Sequence, residues 1–389
     1  MPEPFTPTTP TGPLAGVKVV ELSSIGPIPF CGLVLSDMGA DIVRVDRTAA
    51  AVAADPQRAA GNVLDRGRRS IGVDLKHPSG LAVLHRLVEE ADVLIEGYRP
   101  GVAERLGFGP AACRARNRRL VYGRLTGWGQ SGPLSDRAGH DSDYIALAGA
   151  LGAMGRAGQP PTPPLNIVGD FGGGGLLLAY GITCALLEAA RSGEGQVVDT
   201  AMVDGTALLM APFFAARQIG FWGERGTNLL DSGAPYYDVY ECADGGWVAV
   251  GAIEPQFYAE LLDGLDLDAG AVPDRDDQAR WDELRTVFAA RFRSRSRDEW
   301  AEHFAPRDAC VAPVLGLDEA PVHPHNEARA TFLDVDGVHQ PAPAPRFERT
   351  PGAIARPPCY AGQHTDEILD ELRVSPEEIG GLRVDGAVA

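Results

Sequence analysis

Two segments of the chain hold residue types that can move protons. One is Gly139-His140-Asp141-Ser142-Asp143-Tyr144; the other is Asn166-Ile167-Val168-Gly169-Asp170-Phe171, which runs into Gly172 to Gly175. Histidine and carboxylate are proton acceptors of different chemistry. A glycine run lets backbone N–H groups come close to a ligand. The combination suits removal of a proton from one face of a carbon and return of a proton to the other. Each residue alone also has a plainer role: a histidine is often satisfied by a neighbouring carbonyl, and Asp170 can serve as the N-cap of a following helix. It is the pair, together with nearby arginines, that points toward chemistry.

The elements that must position this pair alternate between strand and helix. Val17 to Leu22, Asp41 to Val45, Ser70 to Leu75, Asp92 to Ile95, Leu120 to Leu125 and Gln196 to Ala201 are strand-like. Pro29 to Met38, Leu81 to Glu90 and Leu176 to Ala190 carry helical patterns. Strand–helix alternation with short turns predicts an α/β domain around a parallel sheet. After about Gly220 the composition changes. Ala234 to Ile253 alternates aromatic and β-branched residues around Asp244-Gly245-Gly246 and predicts a β-hairpin, followed by helices near Gln256 to Leu262 and Gln278 to Phe292. The expected organisation is a large α/β domain over 1–220, a smaller α+β domain over 230–330, and a C-terminal segment over 331–389. In that last segment Gln340 to Pro345 reads as an extended connection. Thr365 to Leu372 and Pro376 to Leu382 read as short helices, the second capped by Ser375.

Bulk properties narrow the function classes. A 389-residue chain with 44% hydrophobic and 23% charged residues is an ordinary globular composition. A net charge of −18 argues against nucleic-acid binding, because a phosphate backbone is repelled. An anionic small ligand needs a few arginines gathered locally. The six cysteines have no Cys-x-x-Cys spacing, which predicts neither a disulfide framework nor a zinc site, and no metal is expected. The Pro- and Thr-rich Met1 to Gly12 has no basic start and no apolar run, so no signal peptide is expected. Apolar runs are interrupted by Gly and charge, so no membrane partner is expected either, and a cytoplasmic protein is the default.

Familiar motifs are lacking. The turn after the first strand, Ser23-Ser24-Ile25-Gly26-Pro27-Ile28-Pro29, has no G-x-G-x-x-G and carries two prolines, which argues against a dinucleotide cofactor even though Asp46 sits where a ribose-binding acid would. No P-loop, G-x-S-x-G or H-E-x-x-H occurs. His323 and His325 flank Pro324 in a predicted loop and read as solvent-facing, not metal-bound.

A longer set of motifs carries a resemblance. Pro13-Leu14-Ala15-Gly16 before Val19-Val20-Glu21-Leu22, and the run Leu35 to Arg47, resemble the opening of the family III CoA-transferase superfamily. Leu94-Ile95-Glu96-Gly97-Tyr98-Arg99-Pro100-Gly101, Thr126-Gly127-Trp128-Gly129-Gln130 and Gly195-Gln196-Val197-Val198-Asp199 extend it. So do Ala234-Pro235-Tyr236-Tyr237, Gly251 to Tyr258, and Gly362-Gln363-His364-Thr365, so the resemblance spans nearly the whole chain. His140 makes the chain most similar to the 2-methylacyl-CoA racemases of that superfamily. Its transferases typically place an aromatic or other non-histidine residue there and use the downstream aspartate as a nucleophile.

The resemblance implies a Rossmann-like large domain, a smaller α+β domain, and two ring-shaped chains interlocked as a homodimer. It implies His140 and Asp170 as the two acid/bases, with Glu254, from the second domain, orienting the histidine in a partner's site. The substrate implied is an acyl-CoA thioester, with no separate cofactor. Its CoA contacts would come from Ile25, Arg47, the segment Val73, Asp74, Leu75 and Lys76, Gly97, Tyr98, Arg99 and Arg105. Gly139, Asp141 and Tyr144 would line the pantetheine and thioester. Backbone N–H groups around Asp170 and Gly172 to Gly175 would hold the enolate oxygen; alternatively those glycines serve only close helix–sheet packing. Ile25, Phe30 and Phe171 favour an apolar acyl group or belong to the core. Two rival functions stay open: a CoA-transferase with Asp170 as nucleophile, and a non-enzymatic acyl-CoA-binding module.

Overall fold

The computed structural model describes residues 8–389, so the first seven residues of the Pro- and Thr-rich opening lie outside the described residues. The chain divides into two compact units. Unit 1 comprises the chain up to Ala148 together with Leu165–Leu209 and His325–Ala389; unit 2 comprises Gly149–Pro164 and Met210–Pro324.

Unit 1 is built on six strands: β1 (Lys18–Leu22), β2 (Asp41–Asp46), β3 (Arg68–Gly72), β4 (Val93–Glu96), β5 (Val121–Thr126) and β6 (Val197–Ala201). They pair in parallel in the order β3-β2-β1-β4-β5-β6. β2 to β5 are buried almost throughout, as a parallel sheet covered on both faces requires. The strand period of two divides their side chains between two cores. Val20 and Leu22 of β1 and Leu94 of β4 meet Leu84, Leu87 and Val88 of the Pro78–Glu90 helix and Ile368 and Leu369 of the Thr365–Glu371 helix. Val19, Val93 and Ile95 point the other way, toward Ile28, Cys31 and Leu35 of the Pro27–Asp37 helix and Leu178 and Ile182 of the Leu177–Ser192 helix.

The α/β parallel-sheet class expected from the sequence is the class observed. The third strand starts and stops earlier than the pattern predicts. Beyond Gly72 the chain leaves the ladder, and Val73 bridges antiparallel to Val388 while Asp74 donates its N–H to Ala387 O. The helical run Ile167–Ser192 is long and apolar enough, by length and composition alone, to cross a bilayer. Leu178, Ala179, Ile182, Ala185 and Ala189 are nevertheless buried in the core of unit 1, the placement of a core helix.

Unit 2 has a three-stranded antiparallel sheet of β7 (Tyr237–Glu241), β8 (Trp247–Gly251) and β9 (Val311–Pro313). Its core is aromatic: Tyr240 stacks on Phe292 at 5.1 Å, and Trp300 meets Phe292 at 5.3 Å. Residues 149–164 and 210–220, which the sequence pattern joins to the large domain, cluster with unit 2. For 149–164 the reason is polar: Arg156 donates to both carboxylate oxygens of buried Asp238, and Arg225 donates to Gly152 O and Gln159 O. In the C-terminal segment, β10 (Phe332–Val335) and β11 (Val338–Pro341) form a hairpin that takes up the first part of the predicted extended connection. Ser375 accepts the Glu378 N–H as the N-cap of the Pro376–Val384 helix.

Candidate active site

The order β3-β2-β1-β4-β5-β6 reverses direction between β1 and β4, and ligands in open α/β sheets bind at the carboxyl ends of strands flanking such a reversal. A cavity of about 360 Å³ lies there. Its walls are Ser24–Ile28 after β1, Gly97–Pro100 after β4, Thr126–Trp128 after β5 and Met202 after β6. The strand order is that of dinucleotide-binding folds, but the first turn is different. Gly26 takes φ 66 and ψ −112 as the N-cap of a helix that begins with proline, and its α-carbon faces Asp170. A Cβ on Gly26 would stand 3.0 Å from Asp170 Oδ2.

His140 and Asp170 both line this cavity. His140 is the exposed N-cap of the Asp141–Leu147 helix, and its backbone N–H donates to Asp143 Oδ2 at 2.9 Å. The turn before it is held by Tyr144, whose hydroxyl donates to Gly139 O and whose ring meets the edge of Trp128 at 4.8 Å.

Asp170 is not an N-cap. It is the fourth residue of a ten-residue π-helix, Ile167–Leu176, which passes directly into the Leu177–Ser192 helix. π-Helical turns are rare and concentrate at functional sites. Two groups fix Asp170: its N–H donates to Asp141 Oδ1 at 2.7 Å, and Asn166 Nδ2 donates to its Oδ2 at 3.0 Å. Burial pushes the Asp170 carboxyl above the usual carboxylate range, opposed by the Asn166 bond, reinforced by Asp141 and opposed again by His140.

The glycines that follow make a packing surface. A Cβ would meet Thr206 N at 2.7 Å from Gly173, Met202 Cγ at 3.0 Å from Gly174, and Pro27 O at 2.5 Å from Gly175. Their N–H groups run along the helix axis toward carbonyls five residues back. Close packing is therefore what the geometry of Gly173 to Gly175 supports.

Eight of the residues singled out in the sequence line this one cavity: Ile25, Gly97, Tyr98, Arg99, Gly139, His140, Tyr144 and Asp170. The others lie elsewhere. Asp141 is buried with its carboxylate turned to the Asp170 backbone instead of lining the cavity. Arg47 is an exposed N-cap, near enough to act on the Tyr98 hydroxyl electrostatically. Val73 is buried, Leu75 packs on the core, and Asp74 accepts the Lys76 N–H. Arg105 is exposed, its guanidinium over Gly101. Glu254 belongs to unit 2, as the exposed N-cap of the Pro255–Gly264 helix.

Sequence reasoning passed over Arg137 and gave no role to Asn166 or Gly26, though both stand in segments it singled out. Asn166 had a signal, since it sits four residues before Asp170 and residues so spaced meet on a helix face. Arg137 joins Arg99 in the cavity wall and brings positive charge to a strongly acidic chain. Among the described residues no group of three or more His, Cys, Asp or Glu is placed to hold a metal ion. Unit 2 holds a larger apolar cavity of about 760 Å³, lined by residues such as Met154, Phe213, Trp222, Leu230 and Tyr237. It contains neither His140 nor Asp170, so the candidate site is the smaller cavity of unit 1.

Comparison with known proteins agrees with this geometry. Residues 14–365 match the model of CoA-transferase family III. The chain belongs to that family. It is 47% identical over 378 residues to a mouse protein named alpha-methylacyl-CoA racemase, covering 96% of this chain and 97% of the relative. The human protein of the same name is 45% identical over 376 residues, covering 96% of each. In fold, the chain superimposes on a CAIB/BAIF family protein from Brucella suis with a TM-score of 0.80 at 24% identity, covering 93% of this chain and 100% of that one.

Proposed function

We propose that this chain is an isomerase that interconverts the (R)- and (S)-epimers of 2-methylacyl-CoA thioesters by proton transfer at C2. The observation that carries this is the joint presence of His140 and Asp170 in one cavity of a chain 45–47% identical, over nearly its full length, to proteins named alpha-methylacyl-CoA racemase. One base removes the α-proton, the electron pair passes into the thioester carbonyl as an enolate, and the other group returns a proton to the opposite face of C2. His140 and Asp170 exchange roles with direction, so the pair carries one proton at the start and one at the end. Positioned acid–base groups each contribute roughly 10²–10⁴-fold.

The site assignments are part of the same proposal. Arg99 and Arg137 are suited to CoA phosphates because a guanidinium binds them in a planar fork. Arg47, Arg105 and the Val73–Lys76 segment would meet the nucleotide end. Glu254 would orient His140 from the partner of a homodimer. Exposed apolar side chains on unit 1 favour such a partner, Leu147, Leu176, Tyr180, Leu187, Leu208 and Leu209 among them. Mixing His140→Ala chains with Glu254→Ala chains tests this. If the two chains are made together and interlock, each mixed dimer regains one working site of two, whereas a Glu254 acting within its own chain gives no recovery.

The function itself is tested in D₂O with a single epimer of a 2-methylacyl-CoA and no acceptor acid, following C2 by proton NMR. Deuterium entering at C2 together with loss of optical purity is expected, and His140→Ala should abolish the loss of optical purity. If C2 stays unlabelled while an added free carboxylate acquires CoA, Asp170 is acting as a transferase nucleophile and the proposal fails.

A further inference from the structure

The cavity wall Gly97–Pro100 leaves β4 at Glu96, whose side chain has 0% exposure. A carboxyl is costly at such a place unless it is bonded. Its Oε2 accepts the Tyr98 N–H at 2.6 Å. Its Oε1 faces Arg124 Nε at 3.5 Å across the β4–β5 register, and neither atom completes a hydrogen bond. The far end of Arg124 is taken by Glu104 at 3.0 Å, on the Val102–Leu106 helix.

The turn is gripped on two further sides. A Cβ on Gly97 would stand 2.8 Å from Ile28 Cγ1 and 3.1 Å from Ser24 Oγ, so the backbone is seated against the opposite cavity wall. The Tyr98 ring meets Phe108 at 5.9 Å. Of these three grips, the Glu96 bond is the one whose group changes charge near neutral pH, since burial pushes the Tyr98 phenol up and keeps it neutral there.

We propose that Glu96 is a positioning residue that holds the Gly97–Arg99 wall in the conformation that receives the CoA thioester, so that substrate affinity depends on the charge of this buried carboxyl. The substrate is that of the function proposed above, and Glu96 touches no reacting atom. Burial pushes the Glu96 carboxyl up to about 7, against the opposing pull of the Tyr98 N–H and Arg124, with Glu104 adding to the rise. Tyr122 of β5 also faces it, its phenol pushed up by burial and so neutral across this range. Above neutrality Glu96 is ionised and its bond to Tyr98 is charge-assisted; below, it is protonated and the bond weakens. Affinity for a CoA thioester therefore rises with pH through about 7.

Glu96→Gln keeps the shape and an acceptor but lacks the charge. We would measure Kd for acetyl-CoA by calorimetry, and KM and kcat for C2 exchange, from pH 5.5 to 8.5. Expected for the variant are Kd and KM raised roughly tenfold at pH 8, the scale separating charged from neutral hydrogen bonds. Little difference is expected at pH 5.5, and kcat should stay within about twofold. Arg124→Met removes an opposing cation, so it should move the midpoint of the Kd curve to higher pH; it serves if the first variant does not fold. A Glu96→Gln Kd equal to wild type at pH 8, or an unmoved midpoint in Arg124→Met, overturns the proposal. Binding is read without turnover. A chain with Glu96-dependent binding but no C2 exchange therefore defeats the racemase function and leaves this inference standing; exchange without that dependence does the reverse.

Discussion

Asn166→Ala probes the acid–base pair without removing either member. The Asn166 Nδ2 bond to Asp170 Oδ2, at 3.0 Å, favours the ionised carboxylate that burial disfavours. A hydrogen bond to a charged group is worth about 1.5–3 kcal/mol. Asn166 is exposed and Asp170 only partly buried, so the low end applies after solvent screening, roughly tenfold in the population of ionised Asp170 at a pH on its titration curve. On the proposed mechanism the active form is the one in which His140 and Asp170 together hold a single proton, so kcat/KM should follow a bell whose limbs belong to the pair. Losing the Asn166 bond raises the carboxyl further. The doubly protonated form then persists to higher pH, and the acid limb moves up while the alkaline limb stays nearly in place.

The assay is racemisation followed separately from each epimer between pH 4.5 and 9. The expected result is a loss of up to about tenfold on the acid side and a plateau changed by less than about twofold. Both directions must shift together, because their kcat/KM ratio equals an equilibrium constant that pH does not alter. An acid limb that stays where it was, with the variant folded, would refute the assignment of that limb to Asp170.

Two further perturbations test the frame around the pair. Gly26→Ala places a methyl 3.0 Å from Asp170 Oδ2 at a φ of 66 that L-residues rarely adopt. It should lower stability by about 1–2 kcal/mol in denaturant titration and lower kcat more than KM. Arg68→Met should be more damaging to folding. Arg68 is fully buried, pairs with fully buried Glu21 at 2.8 Å, and donates to Pro29 O and Leu64 O, so the change strands a buried carboxyl. Breaking such a pair costs about 3–5 kcal/mol, read as a lower denaturation midpoint. A smaller loss from Glu21→Gln than from Arg68→Met is also expected, because the amide can still accept from the guanidinium.

Much of unit 1 is legible because its strands announce themselves. Lys18–Leu22 and Asp41–Asp46 are short stretches rich in Val, Ile and Leu, bounded by turn residues, and the helix between them, Pro27–Asp37, is apolar over most of its length. The cavity is legible where the chain returns to one place by topology: Ile25, Gly97, Tyr98 and His140 lie on loops leaving the same end of the sheet. The π-helix was not legible, since Gly172 to Gly175 read equally as a ligand-facing loop. Only contacts with Pro27, Met202 and Thr206, distant in sequence or carried by another element, decide that this run is helical and packed. The place of 149–164 was hidden for a similar reason, because Arg156 finds its partner Asp238 82 residues away.

The arginines show why charge is the hardest feature to read from a chain. Arg47, Arg99 and Arg105 were singled out and are exposed, whereas Arg66, Arg68 and Arg69, in one short stretch, are buried. Nothing in the local sequence separates the two groups. What separates them is strand order: with β3 beside β2 and β2 beside β1, Arg68 is carried close enough to reach Glu21, and Arg69 reaches Asp41 at 3.0 Å. Arg66, at the entry to β3, pairs with Asp37 at the end of the Pro27–Asp37 helix. Each pairing links segments that lie some 30 to 50 residues apart, and two of them act on the helix whose first turn faces Asp170: Arg68 through Pro29 O and Arg66 through Asp37. The buried cations therefore bear on the cavity indirectly, by fixing the wall against which Asp170 is set, while Arg47, Arg99 and Arg105 stay exposed, as the proposed contacts with an anionic substrate require.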